Sequence, residues 1–150
     1  MKRGSSVAFL GLLVVAMLVV VGCGGGDETT ALTKAEFVKQ ANAACAEGKS
    51  EREKDFNEYV KTTDPSEVTK ANQESLVDEI FKPPYEQSIE AIKSLGAPEG
   101  DEQQVEAITA AMEDGLKQAE AKPLVTLRTN VQFAKANALA VKYGLTDCVV

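Results

Sequence analysis

Apolar residues recur at steps of three and four from Phe37 to Val141, with polar residues between them. That is the period of an α-helix, and no alternating strand pair or Asn-Gly hairpin signal competes with it. Thr33 and Glu36 have the spacing of a capping box, and Leu32 and Phe37 that of a hydrophobic staple, so a first helix is expected to open at Thr33. Its apolar face is Phe37, Ala41, Ala44, Cys45 and Gly48, resumed by Phe56, Tyr59 and Val60. The intervening Lys49 to Asp55 is almost wholly charged and reads as a solvated stretch or a point where the helix leaves the core.

Asp64-Pro65-Ser66-Glu67 marks a second start, followed by Val68, Leu76, Ile80 and Phe81 on one face. Pro83 and Pro84 interrupt that helix, giving a kink or two consecutive helices, and the pattern resumes through Tyr85, Ile89, Ile92 and Leu95. Gly96 and Pro98 stop it. Asp101 is placed to cap a third helix carrying Val105, Ile108, Met112, Leu116 and Ala119, with Glu113 and Lys117 as an outer i,i+4 pair. A fourth helix follows Pro123 on the stripe Leu124, Leu127, Val131, Ala134, Ala138 and Val141. The expected fold is all-α, an antiparallel four-helix bundle over residues 33–150.

The N-terminus has a different pattern. An apolar run, Val7 to Val21, stands behind Met1-Lys2-Arg3 and ends at Cys23. A membrane-spanning helix needs about 20 apolar residues. This run is shorter, contains Gly11 and has no basic flank after it, which fits the apolar core of an export signal. The segment Val20-Val21-Gly22-Cys23 resembles the lipobox of bacterial lipoproteins, with Val20 in place of the commoner Leu and Val21 in place of a small residue. The resemblance implies a signal peptide over residues 1–22, a lipid on the Cys23 thiol and attachment to the cell membrane on its extracytoplasmic face. Residues 23–32 would then be the lipidated cysteine and a flexible tether, reaching at most about 30 Å. An uncleaved anchor and simple secretion are the competing readings.

Three cysteines are an awkward number for an exported protein. Lipid on Cys23 leaves Cys45 and Cys148 as an even pair, either bridged in an oxidising compartment or present as two buried thiols. Ala41-Asn42-Ala43-Ala44-Cys45, Leu95-Gly96-Ala97-Pro98-Glu99-Gly100 and Tyr143-Gly144-Leu145-Thr146-Asp147-Cys148 together are similar to uncharacterised small helical lipoproteins of actinobacteria. That similarity implies a Cys45–Cys148 disulfide and brings no activity with it. Phe37 to Ala44 also echoes Phe133 to Ala140, which places Asn42 and Asn137 as candidates for a polar contact between the first and last helices.

The formal net charge is −7, and removing Lys2 and Arg3 with the signal would make it more negative. With no basic patch in view, nucleic acid is not an expected partner. The chain contains no histidine, which removes Ser-His-Asp and Cys-His nucleophiles, His-based zinc sites and the Glu-x-x-His element of di-iron bundles. No phosphate-binding glycine motif occurs, and Asp78-Glu79 and Asp101-Glu102 read as solvated faces. No catalytic residue, metal or cofactor is expected. Pro83-Pro84-Tyr85 is the one irregularity within an element, and a gap there would open an apolar pocket near Phe81, Tyr85 and Ile89. The expectation is a non-enzymatic, lipid-anchored cell-envelope protein, an interaction or structural module that binds another envelope protein or the wall. The alternative is a ligand-binding lipoprotein with an apolar pocket between helices.

Overall fold

The computed structural model describes residues 31–63 and 69–150. Cys23, the expected export signal, most of the expected tether, and the expected Asp64-Pro65-Ser66-Glu67 start with Val68 lie outside the described residues. Within them the protein is all-helical and contains no strand. The helices are α1 (Lys34–Thr62), α2 (Lys70–Ser75), α3 (Lys82–Ser94), α4 (Glu102–Ala121), α5 (Pro123–Arg128) and α6 (Ala134–Tyr143). A π-helical segment, Leu76–Phe81, joins α2 to α3, and short 3₁₀ turns cover Val131–Phe133 and Thr146–Cys148. No described helix is long and apolar enough to cross a membrane.

The start of α1 is a complete capping box. The Thr33 hydroxyl accepts from the Glu36 amide at 3.3 Å and the Glu36 carboxylate accepts from the Thr33 amide at 3.0 Å. The helix then continues through the charged Lys49–Asp55 stretch without a break. Phe37, Ala41, Cys45 and Gly48 are buried, and none of the residues beyond Gly48 in α1 is. Gly48 is where α1 meets α3. A methyl group there would sit 2.7 Å from the Pro84 backbone oxygen, so only the missing side chain permits this approach.

The two prolines neither end nor split the second element. Neither Pro83 nor Pro84 has an N–H for the carbonyls of Glu79 and Ile80, and their rings crowd the preceding turn. The helix absorbs this by widening: the Lys82 amide donates to Val77 O, five residues back. Because the helix runs on, the stripe of α3 sets the register upstream. Val77 is fully buried, in step with Phe81 and Tyr85, whereas Leu76 and Ile80 are only half-buried on its flank.

The expected stripe of α4 is buried throughout, from Val105 to Ala119. Its start and its outer pair differ from expectation. Asp101 makes no cap hydrogen bond; its carboxylate accepts from the Tyr143 hydroxyl at 2.8 Å and pairs with Lys34 at 3.2 Å. Glu113 pairs with Lys93 of α3 rather than with Lys117.

The last helical region departs most from expectation. It is divided into α5 and α6, and the stripe Leu124, Leu127, Val131, Ala134, Ala138 and Val141 faces outward; Val131 is 65% and Val141 55% exposed. The buried side is Phe133, Ala136, Ala140 and Tyr143, which has helical spacing too. Aromatic size decides between the two faces, because burying Phe133 and Tyr143 removes more apolar area than burying valines. Gly115 makes room: a methyl there would lie 2.5 Å from the Phe133 ring. The Phe133 ring packs against Phe81 and Tyr85 at centroid distances of 5.4 and 5.0 Å. Phe37, Ile92, Ile108, Met112 and Leu145 complete the core.

Candidate functional site

The C-terminal segment is clamped to α1 and α6 by a disulfide and two asparagines. Cys45 and Cys148 are bridged, with Cα atoms 4.9 Å apart. Three residues before Cys45, Asn42 Nδ2 donates to the Gly144 carbonyl and Asn42 Oδ1 accepts from the Asp147 amide, both at 3.0 Å. Asn137 repeats the arrangement with Val150, donating to its backbone oxygen and accepting from its amide, both at 3.1 Å. Asn130 also donates to the Val150 backbone oxygen. Each asparagine amide thus serves as a surrogate backbone partner for a segment that has no strand or long helix of its own. Asn42 thus joins α1 to the C-cap of α6 as well as to the tail, as the echoed sequence suggests, whereas Asn137 binds the tail alone.

Phe81, Tyr85 and Ile89 do not line one pocket. Tyr85 is 5% exposed and stacks on Phe81 at 5.6 Å, between α1 and the aromatic cluster. Its hydroxyl lacks a hydrogen-bond partner and faces a small cavity beside the disulfide, lined by Gly48, Arg52, Ser88 and Val149 among others. That cavity offers about 10 Å³, room for one water molecule at most. Burial pushes the Tyr85 hydroxyl well above the ordinary tyrosine range, so it is neutral at physiological pH. Ile89 lies under a separate open depression rimmed by Glu86, Glu90, Glu113, Lys117 and Glu120.

Phe81 belongs instead to a shallow apolar groove of about 230 Å³ formed with Phe56, Leu76, Ile80 and Leu127. Phe56 is 47% exposed there. Arg52 stands at its edge with the guanidinium 5.2 Å from the Phe81 ring, flanked by Glu53. It makes no ion pair among the described residues. Burial lowers its pKa below the usual arginine value, but it stays charged at any physiological pH. The groove draws on α1, the π-helical segment and α5, so no single helical stripe contains it. The signal that could have found it is the i,i+4 pair Arg52–Phe56 in the middle of a charged run.

Among the described residues no group of three or more His, Cys, Asp or Glu side chains could hold a metal ion. No family model matches the chain, and no curated protein or solved structure matches it.

Proposed function

We propose that this chain is a lipid-anchored cell-envelope module with no catalytic role, held at the extracytoplasmic face of the membrane through a lipid on Cys23, that binds another envelope protein. The observation that supports it best is the groove of Phe56, Leu76, Ile80 and Phe81 with Arg52 at its rim. An exposed aromatic and a half-buried arginine are the residue types that dominate protein–protein hot spots. A volume near 230 Å³ accepts one or two anchoring side chains, and is small for a drug-sized ligand, which fills about 300–1,000 Å³. On this reading α1, the α2–α3 unit, α4 and α6 act as an up-down-up-down scaffold, and the disulfide keeps the carrier of the groove rigid in an oxidising compartment.

The test is site-specific photocrosslinking from position 56 in intact cells. The expected result is one envelope protein captured at position 56, with capture lost on Arg52→Ala and Leu76→Asp, together with mass-spectrometric detection of diacylglyceryl on Cys23. Absence of any adduct would remove the binding role. An unmodified Cys23 would remove the anchor. The second reading, an apolar ligand in the same groove, predicts a thermal shift with hydrophobic small molecules that Phe81→Ala abolishes.

A further inference from the structure

Between Glu120 and Asp147 the chain has no acidic residue, although the whole protein carries a net charge of −7. The same stretch contains Lys122, Arg128, Lys135 and Lys142, and all four are exposed. None of them makes an ion pair among the described residues. Elsewhere Lys34, Lys82 and Lys93 each meet a carboxylate from a different element. Lys39, Lys49, Arg52, Lys54 and Lys117 make no ion pair among the described residues either, so the cations of this stretch are distinguished by the absence of any acidic residue among them.

The apolar stripe turned outward in this region lies among these cations. Leu124 and Val125 are 41% exposed, Val131 65% and Val141 55%. Exposed aliphatic side chains interleaved with exposed lysine and arginine, in a stretch without an acidic residue, form the pattern of a surface that lies in a membrane interface. We infer that α5 and α6 present a docking face for anionic lipid headgroups, with Lys122, Arg128, Lys135 and Lys142 on the phosphates and Val131 and Val141 entering the acyl boundary. Charge complementarity selects an anionic occupant. No aromatic side chain is exposed in the stripe, and Phe133 and Tyr143 are buried, so the usual anchors of a protein interface are missing from it.

The path of the chain agrees with this orientation. The Lys34 ammonium lies 4.1 Å over the Tyr143 ring, so α1 begins beside the residue that follows Lys142. The described chain therefore starts beside the C-terminal end of α6. The inference rests on the lipid-anchor reading for its biological setting and adds a second, electrostatic contact that fixes how the domain lies on the bilayer.

The protein contains no tryptophan, so Val131→Trp in the full chain is a lone reporter. Its fluorescence is measured with excess phosphatidylcholine vesicles, with and without phosphatidylglycerol, and with brominated acyl chains as quenchers. The expected result is a blue shift and quenching only with phosphatidylglycerol, reversed by high salt. Replacing both Lys135 and Lys142 by Gln lowers the docked-to-free ratio on the order of 25-fold, about fivefold per cation. Ala110→Trp, on the exposed side of α4, stays unquenched, and circular dichroism checks that each variant keeps its helix content. Equal emission in both vesicle types, or quenching unaffected by the lysine changes, overturns the inference. So does a blue shift produced only by an added envelope protein. With vesicles in excess the readout needs no anchor, so loss of lipid from Cys23 and a silent tryptophan at position 131 are separate failures.

Discussion

Asn42 and Asn137 each spend both ends of a side-chain amide on the backbone of the last seven residues. Alanine at position 42 leaves the Gly144 carbonyl and the Asp147 amide without these partners, and alanine at 137 leaves the Val150 amide without its partner while Asn130 still serves the Val150 oxygen; a loss of about 1–3 kcal/mol is expected. Urea unfolding of Asn42→Ala and Asn137→Ala measures it, and a loss of only a few tenths in both would show that water replaces the amides without penalty. Asp101 is a second residue with a testable role. Its hydrogen bonds from Tyr143 and Lys34 lower its pKa below the usual carboxylate value. A depressed folded-state pKa gives stability that is present above the unfolded value of about 3.9 and is lost as pH falls through the lower folded value. Asp101→Asn should therefore be less stable than the parent at neutral pH and lose less on acidification below about pH 4. Parallel acid limbs for parent and variant would contradict this account.

At the scale of elements, two glycines set how close the helices approach. Gly48 touches the Pro84 backbone oxygen and Gly115 the Phe133 ring. Gly48→Ala meets an oxygen that cannot move without shifting α3, so a cost of about 1–3 kcal/mol is expected despite alanine's better helix propensity. Thermal unfolding checks this, and a stabilised Gly48→Ala would show that the contact relaxes freely. The same packing explains which elements were legible in the sequence. The capping box of α1 and the stripe of α4 are local patterns with a single solution, and both are present. The Pro83-Pro84 irregularity was visible, but the widened turn that accommodates it depends on Val77 entering the core alongside Phe81 and Tyr85. The face of α6 had two solutions of equal period. Phe133 and Gly115 choose between them across a separation that periodicity does not register. The asparagine echo was readable as a local token, whereas the Cys45–Cys148 bridge, across 103 residues, was only implied by a resemblance. The groove was not, because α1, the π-helical segment and α5 build it together. The cationic face was hidden by averaging charge over the whole chain.

At the scale of the whole molecule, the disulfide closes a separation of 103 residues, tying the second turn-pair of α1 to the chain's end. In the chain-entropy account a loop of about 100 residues gives about 4.7 kcal/mol, and removing a native bridge from a small exported domain costs about 2–5 kcal/mol. Cys45→Ala with Cys148→Ala should fall in that range by denaturant unfolding while keeping its helix content, since Phe37, Ile92, Ile108 and Met112 pack without the bridge. The asparagine clamp makes the deficit depend on its partner. With the bridge present, a broken Asn42 contact closes again locally, because Cys148 keeps Asp147 within reach. Without it, the bonds of Asn42, Asn137 and Asn130 and the burial of Leu145 retain the tail, and losing Asn42 lets the segment after Tyr143 open more readily from the core. Hydrogen exchange at the Asp147 amide reads this directly. Asn42→Ala should raise that exchange modestly in the bridged protein and far more in the cysteine-free one, with the amides of α4 unchanged in both. Equal increments in the two backgrounds would show that bridge and clamp act independently, and that the tail is held by its core contacts at Leu145 rather than by their cooperation.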